Sequence, residues 1–243
     1  MRIKLFVLLV LGVLASGTAV WAANETAQAR SYSSCCGFCV PDEPCCGESV
    51  RTAGQAGYLD ELIGANVRRF EEVGVGTLVA ISPHCFDMFK LHYPARDGFR
   101  PLHSTEYLAE LVGTGRLAFT KEVRATVTYH DPCYLGRRHG VYEAPRTILG
   151  AIPGIELVEM PSSREDGLCC GGGGGRMWLE TLANERFGDL RIAEARRTGA
   201  SILASSCPFC LLCLEDSAKV LGALTLRVMD VTELAALALE PSS

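Results

Sequence analysis

The chain lacks the positive charge that a nucleic-acid surface requires. Its 23 Lys and Arg are outnumbered by 28 Asp and Glu, for a net charge of −5. The basic doublets Arg68-Arg69, Arg137-Arg138 and Arg196-Arg197 are scattered and read as solvated faces or helix ends, so no nucleic-acid partner is expected. It also lacks the cysteine density of a small disulfide scaffold: 12 cysteines lie among 243 residues, where such scaffolds carry more than about 8–10%. Its glycine run, Gly171 to Gly175, is followed by Arg176 and not by Lys-Ser/Thr, which excludes the phosphate-binding P-loop pattern. No twin-arginine motif marks the first residues for folded export. The longest apolar run, Leu5 to Trp21, is a little short for a relaxed membrane span. With 48% hydrophobic and 21% charged residues, the remainder is that of a globular protein with room for one large domain or two small ones.

The N-terminus has a character of its own. Met1-Arg-Ile-Lys4 is basic, Leu5 to Trp21 is apolar, and Val20-Trp21-Ala22 offers small residues for cleavage. Residues 1–22 therefore read as a signal-peptide-like or membrane leader outside the fold, and residues 23–42 as a linker. A functional leader implies an exported, periplasmic chain, or membrane association if it is retained.

What the chain does have is a set of cysteines in its C-terminal half. Cys133 comes first, then Cys169-Cys170 in Glu165-Asp-Gly-Leu-Cys-Cys-Gly-Gly, then Cys207 and Cys210 in Cys-Pro-Phe-Cys. Between Cys133 and Cys169 lie 35 residues, and between Cys170 and Cys207 lie 36. Neighbouring cysteines bond poorly to each other, and soft thiolates suit iron and zinc. Five of them exceed the four that a tetrahedral zinc or an ordinary iron–sulfur cube needs. The pattern points to a metal–sulfur site. Its bland alternative is a group of buried structural thiols.

The residues around this set have open readings. Gly171 to Gly175 reads as a linker, as a phosphate-cradling loop, or as backbone able to approach a bulky cluster and donate to its sulfur. Arg176 meets an anion, balances cluster charge, or is a surface residue. His130 donates to a cluster sulfur or is a hydrogen-bonded strand-end histidine. Cys213, three residues past Cys210, reads as a packed thiol.

The halves resemble each other at a fixed offset. Cys45-Cys46-Gly47 precedes Cys169-Cys170-Gly171 by 124 positions, and Ser82-Pro83-His84-Cys85 precedes Cys207-Pro208-Phe209-Cys210 by 125. Helical periodicity over Leu59 to Val73 and over Trp178 to Arg197 comes before the apolar runs Thr77 to Ser82 and Ala200 to Ser206. A third run, Ala125 to His130, ends at Asp131-Pro-Cys133. These are strands of the kind buried in parallel sheets, with cysteines at their carboxyl ends. The expected fold is α/β: two repeated Rossmann-like units, a degenerate one over residues 43–115 and an intact one over 116–243. The first unit has Ser82 in the place of Cys207 and no counterpart of Cys133. Cys45, Cys46 and Cys85, with His84, would serve a zinc or stand as free cysteines; Cys35, Cys36 and Cys39 are nearby substitutes.

Tyr129-His-Asp-Pro-Cys-Tyr-Leu-Gly136, Cys169-Cys-Gly-Gly-Gly-Gly-Gly-Arg-Met-Trp178, Cys207-Pro-Phe-Cys210, Ser82-Pro-His-Cys-Phe86 and Cys45-Cys-Gly-Glu48 resemble the cysteine-rich Cys-Cys-Gly domain family over residues 43 to 235. That family includes heterodisulfide reductase subunits and the iron–sulfur subunits of glycolate and lactate oxidation. The resemblance implies a [4Fe-4S]-type cluster, cubane or noncubane, held by Cys133, Cys169, Cys170, Cys207 and Cys210. It also implies electron transfer or disulfide reduction with a flavin or ferredoxin-like partner, at a membrane-associated or cytoplasmic location. The competing functions are a zinc-binding structural or assembly protein and an exported thiol protein without a cluster.

Overall fold

The computed structural model describes residues 20–23, 38–39, 45–182, 185–223 and 225–239, the first two segments as strands only. The chain divides into two compact units, Met1–Tyr107 and Leu108–Ser243. Among the described residues no helix is long and apolar enough to cross a membrane.

In the first unit, β1 (Val20–Ala23) pairs antiparallel with β2 (Phe38–Cys39) and with β3 (Thr77–Ala80). Helices α1 (Glu48–Thr52) and α2 (Ala56–Glu72) separate β2 from β3. Helix α3 (Pro83–Leu91) follows, then β4 (Arg100–His103), parallel to β3, and α4 (Ser104–Gly113). The sheet order is β2-β1-β3-β4. The core strand is β3, whose Leu78, Val79 and Ala80 are fully buried, as an apolar run covered on both faces must be. Two expectations change here. The end of the apolar leader pairs with β3 instead of lying outside the fold, because β3 has an open edge opposite β4. The reading of Tyr93 to Pro101 as a connecting loop also changes, because Arg100 and Pro101 begin strand β4. Proline is admissible there because β4 lies at the sheet edge, where a missing N–H costs no ladder bond.

The second unit is a fully parallel sheet in the order β6-β5-β7-β8. It runs β5 (Ala125–Tyr129), α5 (Gly136–His139), α6 (Glu143–Ala151), β6 (Ile155–Leu157), α7 (Phe187–Arg197), β7 (Ile202–Ser205), α8 (Pro208–Val220), β8 (Arg227–Asp230) and α9 (Val231–Leu237). Helix α7 packs on α8, and α6 on α9. The chain lays β6 on one side of β5 and then returns to lay β7 on the other. The carboxyl ends of β5 and β7 therefore flank the point where the strand order reverses, the crevice in which open α/β sheets bind their ligands. His130 continues this pairing past β5, its N–H donating to Ala204 O at 2.8 Å.

The helix expected over Trp178 to Arg197 is shorter: α7 begins only at Phe187, after a single 3₁₀ turn at Arg176–Trp178. Trp178, Leu179 and Leu182 are 80%, 65% and 71% exposed. Their apolar spacing finds no surface to bury against, and helical stability comes mostly from such burial.

Candidate functional site

Three segments converge at the switch point of the second unit. The first leaves β5 through His130-Asp131-Pro132-Cys133. Asp131 is 5% exposed and Arg146 of α6 is 7% exposed. The Arg146 guanidinium grips Asp131 with two donors, at 2.8 and 3.0 Å, and also donates to Glu159 at 2.6 and 3.0 Å. Burial disfavours the Arg146 charge, but its hydrogen bonds to Asp131 and Glu159 outweigh that and hold its pKa above the ordinary guanidinium value. Asp131 also accepts from the Arg164 N–H at 2.8 Å, and Arg137 donates to Gly167 O at 2.8 Å. These bonds tie the strand end to the loop that carries Cys169 and Cys170.

That second segment ends in glycines for physical reasons. Gly171 adopts φ +84°, a left-handed conformation that side chains resist. At Gly172 a Cβ would come within 2.7 Å of Cys213 Sγ. The turn lets backbone amides face the thiols: Gly171 N–H donates to Cys169 Sγ at 3.3 Å, and Gly172 N–H to Cys170 Sγ at 3.5 Å.

The third segment is the start of α8. Cys207 is the residue before its first turn, and Pro208 opens the helix with a preset φ. A thiol at a helix N-terminus sits where the macrodipole favours an anion. Cys210 and Cys213 follow at helical spacing of three, so they rise along one face. Cys207 and Cys210 are 1% and 3% exposed and pack in the apolar core with Ile192, Leu203 and Leu214.

The sulfurs form a continuous hydrogen-bonded chain. Cys169 neighbours Cys133 and Cys170, Cys170 also neighbours Cys210 and Cys213, and Cys210 neighbours Cys207. The hydrogen bond from Cys169 pulls Cys133 down to about 6, against the effect of burial. Bonds from Cys169, Cys210 and Cys213 hold Cys170 far below the ordinary thiol range. Donating these same bonds, together with burial, pushes Cys169, Cys210 and Cys213 up. His130, Cys170 and Cys210 place ligand atoms within 4.8 Å of one another, and no other group of three potential metal ligands does so among the described residues.

Cys133, Cys169, Cys170 and Cys210 are therefore neighbours through these contacts, Cys207 reaches them through Cys210, and Cys213 through Cys170. Its helical spacing from Cys210 was the available signal. Sequence reasoning also missed Arg191, fully buried beside His130; a lone arginine in a polar helical pattern gives no sign of burial. Arg176 lines a cavity of about 590 Å³ with Cys170, Cys213, Met177, Leu182 and Phe187. Cys170 and Cys213 form part of its wall.

The first unit is arranged differently. Cys45 donates to Cys46, which with burial raises Cys45; Cys46 accepts that bond but donates toward Cys85 and is buried, and its pKa also rises. Tyr93 and Asn66 hold the carbonyls of Cys46 and Cys45 at 3.2 and 2.8 Å. Ser82 caps α3, its Oγ accepting from the His84 N–H at 3.3 Å. Among the described residues His84 joins no group of three close ligand atoms. Cys35 and Cys36, and the side chain of Cys39, lie outside the described residues.

The chain is similar in sequence to several known proteins. The chain is 43% identical over 193 residues to the probable iron-sulfur-binding oxidoreductase FadF of Bacillus subtilis, covering 78% of this chain and 27% of that one. It is 36% identical over 206 residues to the EtfAB:quinone oxidoreductase of Syntrophomonas wolfei, covering 81% and 29%. It is 38% identical over 206 residues to one of the subunits of the dihydromethanophenazine:CoB–CoM heterodisulfide reductase of Methanosarcina barkeri, covering 82% and 50%. The chain thus spans a quarter to a half of the length of these relatives. The cysteine-rich CCG domain matches twice, over residues 38–90 and 127–215, and with both cysteine blocks inside those matches the chain belongs to the CCG cysteine-rich domain family.

Proposed function

We propose that this chain is the cysteine-rich part of an iron–sulfur oxidoreductase subunit, with a [4Fe-4S]-type cluster held by Cys133, Cys169, Cys170, Cys207 and Cys210. The observation that carries the reading is the continuous chain of sulfurs at the switch point, bordered by glycine amides that donate to Cys169 and Cys170. The residues fit such a group in three respects. The ligand set is soft thiolate. A Cβ at Gly172 would fill the space beside two of the sulfurs. The buried His130 Nε2 has no partner in hydrogen-bond geometry, although a buried polar atom of this kind requires one, and His130 acts on the Cys170 thiol beside it.

When bound, the group would accept and release electrons. The protein's own part is to hold the sulfurs in a dry site, to neutralise their charge with amide donors, and to leave one side open. The cavity at Cys170 and Cys213 would admit a small disulfide substrate. The named relatives include oxidoreductases and a heterodisulfide reductase, which supports redox partner subunits, a flavoprotein or a ferredoxin-like protein, for this chain. The first unit is an eroded copy without a cluster: Ser82 uses its hydroxyl as a helix cap where the second unit has the Cys207 thiol, and no counterpart of Cys133 precedes Cys45.

Anaerobic purification with iron and sulfide analysis and electron paramagnetic resonance tests the reading. The expected result is a brown protein with about four irons per chain and a signal on reduction. Colourless, iron-free protein after anaerobic reconstitution would reject it, and stoichiometric zinc without a redox signal would make the site structural.

A further inference from the structure

His130 stands with Cys170 and Cys210 in a triad that has the composition of a metal site, so its role turns on which ring nitrogen carries the proton. Arg191 of α7 decides this. Its Nε–H donates to His130 Nδ1 at 3.1 Å. A guanidinium N–H has a proton to give and no lone pair to offer, so Nδ1 must be the acceptor. A neutral imidazole that accepts at Nδ1 carries its proton on Nε2. The alternative, an imidazolium, would have an N–H at both nitrogens and would face the Arg191 donor with one of them.

The arrangement is fixed from behind. Arg191 is completely buried, and its Nη1 donates to Ser162 O and to Glu194 Oε2, both at 2.7 Å. Glu194 is held in turn by the Ser162 N–H at 2.7 Å. The His130 backbone is pinned between strands: its N–H donates to Ala204 O at 2.8 Å, and its carbonyl accepts from Ser205 Oγ at 3.3 Å. The ring cannot turn over without losing the bond from Arg191. Its Nε2 is buried with no partner of its own in hydrogen-bond geometry, the ring places a nitrogen within 4.8 Å of the Cys170 and Cys210 sulfurs, and His130 helps to lower the Cys170 thiol.

We infer that Arg191 locks His130 as the Nε2–H tautomer, so that His130 is a positioning residue that donates a hydrogen bond to the Cys170 sulfur and is not a metal ligand. The inference rests on the iron–sulfur reading for its consequence, though not for the tautomer itself. A hydrogen bond to a cluster-ligating sulfur stabilises its charge and makes reduction easier. Through Arg191, Glu194 and Ser162 then act on the redox site without touching it.

Two measurements test this. In the metal-free full chain, long-range ¹H–¹⁵N correlation of the imidazoles, with the His130 signals assigned through His130→Gln, should show the Nε2–H form; the Nδ1–H form would overturn the assignment. In the anaerobically loaded protein, His130→Ala should retain wild-type iron content while its reduction potential becomes more negative. His130→Gln, whose amide can still donate, should recover part of that shift. Loss of iron in both variants would make His130 a ligand and overturn the proposal, and an unchanged potential would remove the hydrogen bond's role. Wild-type protein that takes up no iron would reject the iron–sulfur function and leave the tautomer to the spectrum of the metal-free chain.

Discussion

Gly172 lies so close to Cys213 that a Cβ placed on it would stand 2.7 Å from the Cys213 sulfur and 3.7 Å from that of Cys170. The glycine is therefore a matter of space at the thiols. Neither sulfur sits at the end of a long side chain that could swing away. Gly172→Ala should displace the α8 cysteines from the Cys169-Cys170 loop. The expected cost is about 1–3 kcal/mol, as for other overpacked interiors, and iron content should fall several-fold. Denaturant unfolding together with iron per chain after anaerobic reconstitution checks both effects. Wild-type iron content in the variant would show that the approach is not required.

The site depends equally on a charge pair that is not itself redox-active. Arg146 and Asp131 are paired through two hydrogen bonds, with 6% and 3% of their side chains exposed. Removing one partner from a buried pair strands the other. Arg146→Met should destabilise the second unit by about 3–5 kcal/mol and loosen the Arg164 N–H bond that holds the cysteine loop to β5. Asp131→Asn combined with Arg146→Met should recover a large part of that loss, since the buried Asp131 charge is gone and the remaining Glu159 carboxylate is 39% exposed to solvent. A double-mutant cycle in urea measures the difference, and equal destabilisation in the single and double variants would show that the pair acts only through packing.

Particular residues show how far the sequence was legible. The apolar runs at Thr77, Ala125 and Ile202 are buried on both faces and became β3, β5 and β7, because a hydrophobic run bounded by Pro and Cys has few other places to lie. The α/β class and the parallel pairing of those runs followed from them. Strands β4, β6 and β8 were less visible. They are short edge elements carrying Arg100, Pro101, Glu156 and Arg227, and an edge strand needs only one partner and little apolar surface. The helix over Trp178 to Arg197 failed as a full-length element because periodicity reports which face could be buried, not whether anything covers it. Arg191 was illegible because its burial depends on Glu194, Ser162 and His130, and His130 is 61 positions away in the chain. The cysteine blocks were legible at strand ends. Cys213 was not, since one thiol a helical turn beyond Cys210 has no pattern of its own.

Restoring the missing thiol in the first unit separates ligand count from position. Ser82→Cys would recreate the Cys-x-x-Cys form with Cys85, but no counterpart of Cys133 precedes Cys45. The substitution also removes the Ser82 Oγ acceptor from the His84 N–H, and loss of an N-cap costs about 1 kcal/mol. The expected outcome is slightly lower stability and no additional iron, read by thermal unfolding and metal analysis on the same sample. A second set of irons would mean that the first unit finds its remaining ligand elsewhere in the chain.

Asp230 makes the second unit sensitive to pH in the direction opposite to an ordinary paired carboxylate. It caps α9, its Oδ1 accepting from the Thr232 N–H at 2.8 Å and the Thr232 hydroxyl at 2.7 Å, while its Oδ2 is buried without a partner. Burial pushes its pKa from 3.8 up to about 7; the two bonds from Thr232 pull it down, and the nearby Glu233 and Cys207 push it further up. A carboxyl whose folded pKa lies above its unfolded value binds its proton more tightly in the folded protein. Its stabilising contribution is complete below about pH 4 and is lost as pH rises to about 7, at a rate of about 1.4 kcal/mol per pH unit across that window. Asp230→Asn keeps the acceptor for Thr232 and has no proton to lose. The variant should therefore gain on the wild type between pH 5 and pH 8, overtaking it if the cap is preserved. Urea midpoints for both proteins at these two pH values measure the effect, and parallel pH dependence would show that the Asp230 carboxyl does not titrate between them.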